Sequence, residues 1–242
     1  MRTTAADAVC ILPARGGSKR IPRKNVRPLA GRPALGWPVA AARASGLFAR
    51  IIVSTDDAEI AAVATAAGAE VPFLRDPALA DDHAGTTEVV RDAVARLGLA
   101  PGVAVCCLYP TAVFVTPADL AEGRARLEGA RWVLALGRYR TPIDRAYRLT
   151  PEGRAMARSP EAMERRSQDL APAYYDAGEF YWARAGTWAD PGARVWDGAA
   201  AVLLPEARCL DIDTPEDWAE AERRAAALGL DAGRADAAAD PG

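Results

Sequence analysis

Short runs of apolar and β-branched residues alternate with longer amphipathic stretches along most of this chain. That alternation predicts an α/β fold: a mostly parallel sheet covered by helices. Val9–Leu12 reads as the first strand, and Ala34–Ser45 as a helix closed by Gly46. Arg50–Ser54 is a second strand, running into Thr55-Asp56-Asp57, which can cap a helix over Ala58–Ala67 stopped by Gly68. Glu70–Leu74 reads as a third short strand, Thr86–Leu97 as a helix, and Val103–Tyr109 as a buried central strand. Thr116-Pro117-Ala118-Asp119 carries the cap, the N1 proline and the early acid of a helix start. Trp132–Gly137, Tyr174–Ala183 and Ala200–Leu204 are further strands, and Thr214-Pro215-Glu216-Asp217 opens a last helix through Leu228.

From Arg138 to Pro172 the alternation stops in a segment rich in Arg, Pro and Glu. An insertion is expected there, a hairpin arm for oligomer contacts, within one domain over residues 1–228. Residues 229–242 are rich in Ala, Asp and Gly without apolar periodicity and are expected to be a disordered tail. The net charge of −2, with both signs spread along the chain, argues against a nucleic-acid partner. No apolar run approaches membrane-spanning length, and the N-terminus lacks a long signal-peptide core. Cys10, Cys106, Cys107 and Cys209 all fall in apolar runs, as buried reduced thiols of a cytoplasmic protein would, and do not suggest disulfides or a zinc site.

The chemistry begins in the first strand–loop unit, Leu12-Pro13-Ala14-Arg15-Gly16-Gly17-Ser18-Lys19-Arg20-Ile21-Pro22-Arg23-Lys24-Asn25. Of the 30 basic residues only Lys19 and Lys24 are lysines, and both lie here. Random placement would put both among the six basic residues between Arg15 and Arg27 about one time in thirty. An ammonium is a compact, mobile point charge, whereas a guanidinium is a planar fork. Glycines beside such charges let backbone N–H groups approach anionic oxygens, so the loop reads as a phosphate site. Gly16 and Gly17 have the spacing of neither a Walker A nor a dinucleotide fingerprint. Arg15, Lys19, Arg20, Arg23 and Lys24 together supply enough charge for a triphosphate.

Asp211-Ile212-Asp213 is the second constellation. In a strand, both carboxylates would project to one side while Ile212 turns into the core. Such a pair suits Mg²⁺, which takes one or two carboxylates plus phosphate oxygens and waters. Support of the following helix N-terminus is the competing role for Asp213. Arg75 and Tyr109-Pro110-Thr111 stand at carboxyl ends of strands, where α/β sheets place ligands. His83, the only histidine, reads as incidental. Tyr174, Tyr175, Phe180, Tyr181 and Trp182 form an aromatic run whose default role is packing.

These motifs resemble those of the CMP-sugar synthetases that activate nonulosonic acids, the acylneuraminate cytidylyltransferases. The likeness is strongest to the pseudaminic acid branch. There it rests on Val53-Ser54-Thr55-Asp56-Asp57, Val71-Pro72-Phe73-Leu74-Arg75, Leu79-Ala80-Asp81-Asp82-His83, Arg166-Ser167-Gln168-Asp169-Leu170, Asp176-Ala177-Gly178 and Asp211-Ile212-Asp213-Thr214-Pro215-Glu216-Asp217-Trp218. The resemblance implies a Rossmann-like three-layer nucleotidyltransferase fold, CTP and Mg²⁺ as requirements, and a homodimer. It assigns the nucleotide to Arg15, Gly16, Gly17, Ser18, Lys19, Lys24, Asn25, Arg75, Ala84 and Thr86. It assigns the metal to Asp211 and Asp213, and the acceptor sugar to Tyr109, Arg166, Gln168, Tyr175 and Asp176. Arg15, Lys19, Lys24, Asp211 and Asp213 are its catalytic set.

The chain also departs from the pattern. Tyr109 stands where sialic-acid enzymes carry a sugar-contacting Gln, which argues against sialic acid and for a less hydroxylated 9-deoxy sugar. Tyr175 and Glu179 stand where the pseudaminic branch is expected to carry His and Gln. The expected reaction is attack of the sugar's anomeric hydroxyl on the α-phosphorus of CTP, expelling pyrophosphate. A legionaminic or sialic acid synthetase is the alternative within the class, and a non-catalytic CTP-binding regulator the alternative outside it.

Overall fold

The computed structural model describes residues 7–80 and 85–231. The expectations for His83, for Ala84 and for the tail from residue 232 onward lie outside the described residues. In chain order the elements are β1 (Ala8–Pro13), β2 (Pro28–Leu29), β3 (Arg32–Pro33), α1 (Gly36–Ser45), β4 (Phe48–Ser54), α2 (Ala58–Ala66), α3 (Thr86–Arg96), β5 (Ala104–Leu108), α4 (Pro117–Arg126), β6 (Trp132–Arg138), β7 (Tyr147–Leu149), β8 (Ala155–Ala157), α5 (Pro160–Met163), β9 (Tyr174–Arg184), α6 (Ala185–Ala189), β10 (Ala199–Leu203) and α7 (Pro215–Leu228).

Strand β1 shows why the sheet is covered on both sides. Ala8, Cys10 and Leu12 bury one face against Leu35, Val39, Ile60 and Leu120, while Val9 and Ile11 bury the other against Val90, Val94 and Trp188. A strand apolar on both faces belongs in the middle of a two-sided sheet. The six strands run in the order β10-β6-β9-β5-β1-β4. All neighbours are parallel except β9, which is antiparallel to both β5 and β6. Alternation alone did not reveal that reversal. Its cause is local: Arg138 at the end of β6 pairs with Tyr174 at the start of β9. The intervening arm therefore leaves and re-enters at one edge of the sheet, and the chain must run back. Within the arm, β7 and β8 pair as a hairpin.

Two expected strands are absent. Glu70 and Leu74 make only isolated bridges, to Ile52 and Thr55. Pro72, between them, has no N–H to give a ladder, and Leu74 stays 56% exposed. Asp211–Asp213 is a loop, not a strand. The loop is nonetheless pinned, because Ile212 is fully buried in a third small core with Ile21, Trp37, Phe114 and Trp218.

Helix ends follow the local chemistry. Asp57 caps α2, accepting from the N–H groups of Glu59 and Ile60. Thr116 with Asp119, and Thr214 with Asp217, form capping boxes at α4 and α7. Asp119 has a further role, since Arg208 holds it from the segment leading to Asp211, with Nη2 at 3.0 Å from Oδ1. Burial pushes the Asp119 carboxyl up, but Arg208 and Thr116 outweigh it and leave the group below its ordinary value. A lowered folded value means that this stability is present above the unfolded carboxylate pKa, about 4, and fades as pH falls through the folded one. Arg208→Met is expected to destabilise the fold by about 2–3 kcal/mol at neutral pH, the low end for a buried pair because Arg208 keeps solvent contact. Urea unfolding at pH 7 and pH 3 checks this, and the difference between variant and wild type should shrink at the lower pH.

Candidate active site

The carboxyl end of β1 opens a cleft of about 460 Å³ at the carboxyl edge of the sheet. Arg15, Ser18, Lys19, Arg20, Lys24 and Asn25 line it from the first loop. Arg75, Thr86 and Tyr109 also line it, as does Asp213, which pairs with Arg20 and Lys24. The structure thus gathers most of the anticipated nucleotide residues around one space. Leu79, Val89, Pro110 and Thr111 also line it and were not singled out from the sequence as pocket residues. Leu79 and Val89 add apolar surface to a lining otherwise rich in charge, which only the third dimension reveals.

The first loop is tied down at several points. The Asn25 side-chain amide donates to the Arg15 carbonyl at 2.9 Å, and Asn25 is buried. Gly16 N–H donates to Asp56 Oδ1 at 2.9 Å. This N–H therefore faces a carboxylate of the protein, contrary to the expectation that it would greet an anion. Arg23 also departs from its expected role, because its guanidinium pairs with Asp57 and Glu59 and does not line the cleft.

Lys24 bridges the two constellations. Its ammonium donates to the Ile212 carbonyl at 2.7 Å and to Asp213 Oδ1 at 3.1 Å. Arg20 reaches Asp213 Oδ2 at 2.8 Å. Asp213 is not the helix cap, since that position belongs to Thr214. Asp211 flanks it with a solvent-exposed edge, yet lost hydration raises its carboxyl above the ordinary value and the Asp213 charge adds to this. Asp211 therefore feels the Asp213 charge even though the pair does not lie on a strand. Gly178, at φ 65°, leaves room for Asp211, whose Cγ would lie 3.2 Å from a Cβ there.

Arg75 is 5% exposed. It donates to the hydroxyl and carbonyl oxygens of Ser54, and burial lowers its pKa. Tyr109 shares a hydrogen bond with the Thr86 hydroxyl at 2.9 Å and stands edge-on to Tyr181, which donates to Asp176 at 2.5 Å. Burial pushes both phenols up. Glu179 lies under this wall, fully buried, accepting from Leu210 N–H at 3.4 Å, and burial holds its carboxyl well above the ordinary range.

The expected acceptor residues are not all assembled. Arg166 pairs with Asp169 at 2.8 Å, and neither Arg166 nor Gln168 lines the cleft. Tyr175 stands edge-on to Tyr139, and its phenol is pushed up to about 12, first by its hydrogen bond with Cys209 and then by burial. Asp176 sits at the same edge of the sheet as Tyr109 but outside the cleft lining.

Comparison with known proteins agrees with this geometry. A family model described as Cytidylyltransferase matches residues 9–133. The chain is 36% identical to the pseudaminic acid cytidylyltransferase of Campylobacter jejuni, over 86% of this chain and 92% of that one. It is 30% identical to the CMP-N,N'-diacetyllegionaminic acid synthase of Legionella pneumophila, over 89% of this chain and 94% of that one. Among solved structures, CMP:2-keto-3-deoxy-manno-octonic acid synthetase complexed with CTP aligns with a TM-score of 0.61 at 19% identity, covering 92% of this chain and 98% of that one. The 4-diphosphocytidyl-2C-methyl-D-erythritol synthase of Anaerococcus prevotii aligns with a TM-score of 0.61 at 13% identity, with the same coverage. Those two likenesses bear on the fold alone. A buttressed basic loop after β1, a cleft carboxylate paired with that loop and a family match across the first half of the chain converge on one assignment: this chain belongs to the cytidylyltransferase family.

Proposed function

We propose that this enzyme transfers CMP from CTP to the anomeric hydroxyl of a nonulosonic acid, pseudaminic acid before others, and releases pyrophosphate. One observation carries the reading: Arg15, Ser18, Lys19 and Lys24 converge on a single cleft with Arg75 and Thr86, in a chain 36% identical to a pseudaminic acid cytidylyltransferase. The acceptor oxygen forms a bond to the α-phosphorus while the α–β bridging bond breaks. Arg15, Lys19 and Lys24 offset the charge that accumulates on the departing pyrophosphate. Asn25, Arg75 and Thr86 hold the cytidine. Apolar Leu79 and Val89 exclude water beside the base.

Mg²⁺ fits the donor set. Asp211 and Asp213 present hard oxygens close enough for one charge to raise the other's pKa, and two carboxylates plus phosphate oxygens match this ion's preference. Among the described residues no group of three or more His, Cys, Asp or Glu offers a site complete without substrate. When bound, the ion neutralises α-phosphate charge and acidifies the attacking hydroxyl. We also propose a cytoplasmic homodimer built on the arm, where Tyr147, Leu149 and Met156 are 61%, 73% and 59% exposed. No described helix is long and apolar enough to cross a membrane.

The sugar is tested by offering CTP with a panel of nonulosonic acids and measuring pyrophosphate. A 5,7-diacylamido acid of the pseudaminic type is expected to exceed N-acetylneuraminic acid in kcat/KM. Tyr109 places an aromatic ring where an amide would reward a hydroxyl, and such a site rejects an extra hydroxyl by roughly 100-fold. Preference for the legionaminic isomer would instead favour the relationship seen at 30% identity. Equal kcat/KM for pseudaminic and neuraminic acids would overturn the role of Tyr109.

A further inference from the structure

The Asp57 carboxylate pairs with one end of the basic loop, at Arg23, and lies close beside the other, at Gly16. Its Oδ1 accepts from the N–H groups of Glu59 and Ile60 at 2.9 and 3.0 Å, which caps α2. Arg23 Nη1 donates to its Oδ2 at 2.6 Å and Nη2 to its Oδ1 at 3.3 Å. At the near end of the loop, a Cβ on Gly16 would fall 2.8 Å from Asp57 Oδ2 and 3.0 Å from Asp57 Cβ. A Cβ on Gly17 would meet nothing within 4 Å. The glycine at position 16 is thus required by Asp57, and the one at 17 by no neighbour in the protein.

Arg23 supplies the second half of the observation. It adopts φ 58°, one of two non-glycine residues at positive φ among those described. An arginine holds the left-handed region only where its surroundings impose it. Here the Asp57 and Glu59 carboxylates capture its guanidinium, and its carbonyl accepts from Val26 and Arg27 N–H groups at 3.0 and 2.9 Å. The next residue is Lys24, whose ammonium enters the cleft. Arg23 lowers the pKa of the Asp57 carboxyl, and the Ile60 N–H adds to this.

We propose that Asp57 is a positioning residue for the phosphate loop, clamping Arg23 and packing close against Gly16, whose N–H is held by Asp56, so that Ser18, Lys19 and Lys24 are held ready for the triphosphate. The proposal rests on the phosphate reading given above. Preorganisation of this kind removes ordering entropy from the binding step, so its loss appears in the use of CTP.

Asn caps a helix about as well as Asp, so Asp57→Asn keeps the α2 cap and removes only the charge clamp. For that variant, kcat/KM for CTP is expected to fall by at least about tenfold, with the acceptor KM within about twofold of wild type. Its melting temperature should stay within about 2 °C, since the cap survives. Arg23→Gln should reproduce the loss, and the double variant should be no worse than either single one, the mark of two residues acting as a unit. Unchanged CTP kinetics in Asp57→Asn, a fall in melting temperature alone, or additive losses would overturn the clamp. Lys24→Ala separates this from the underlying reading. If Lys24→Ala loses turnover while Asp57→Asn does not, the clamp fails alone; if wild type turns over no CTP, the phosphate reading fails and the clamp with it.

Discussion

Acylation of two amines is expected to silence this enzyme. Lys19 and Lys24 are the only lysines in the chain, so an amine-selective reagent can reach just these and the N-terminal amine. Acylation deletes the charge and replaces three donors with one. At Lys24 the damage extends beyond the phosphate, because its ammonium also joins the first loop to the Ile212 carbonyl and Asp213. Its side chain is 19% exposed, so modification at this position is slowed by packing and by the ion pair. Activity is expected to fall at least about 100-fold on full modification, the scale for losing a strong electrostatic stabiliser. CTP with Mg²⁺ should protect, and the sugar alone should not. Lys24→Arg is expected to be poorly tolerated, because a planar fork does not fit contacts arranged around a point charge. Peptide mass spectrometry locates the labels. A fully acylated enzyme that turns over CTP at the native rate would refute the role of this loop.

The strands and helices that hold this loop were largely legible in the sequence, because both faces of β1 and the caps at Asp57, Thr116 and Thr214 are local signals. Three features were not, each for a physical reason. The reversal of β9 depends on where the arm re-enters the sheet, a pairing of Arg138 with Tyr174 that periodicity does not encode. Asp211–Asp213 lacks strand geometry, yet Ile212 was correctly placed in the core, since burial of one apolar side chain between two carboxylates needs no ladder. The basic residues of the loop were counted together as counter-charges, whereas the structure divides them. Arg15, Lys19, Arg20 and Lys24 line the cleft, Arg20 and Lys24 being paired there with Asp213, whereas Arg23 pairs away from it. Charge is visible in a sequence, but its partner forty residues or two hundred residues away is not. Asp57 illustrates the same limit. Its capping role is local and was anticipated, while its grip on Arg23 and its closeness to Gly16 exist only once β1 and β4 lie side by side.

Asp211→Asn and Asp213→Asn are each expected to lower turnover by at least about 100-fold while leaving the fold intact. Both substitutions conserve shape and remove the charge on which a divalent cation depends. The two should differ in their side effects. Asp213 is the partner of Arg20 and Lys24, so its neutralisation also loosens Lys24 and should raise the KM for CTP as well as lowering kcat. Asp211 makes no ion pair among the described residues, and its carboxyl is raised first by lost hydration and then by the Asp213 charge. Asp211→Asn relieves that repulsion, so its thermal stability should equal or exceed wild type even as activity falls. Stability rising while turnover falls is the signature of a residue kept for chemistry and not for packing. Steady-state kinetics across a Mg²⁺ titration, with thermal unfolding of each variant, read all of these quantities. Should Asp211→Asn and Asp213→Asn keep wild-type turnover at every Mg²⁺ concentration, the pair would have no part in holding the ion.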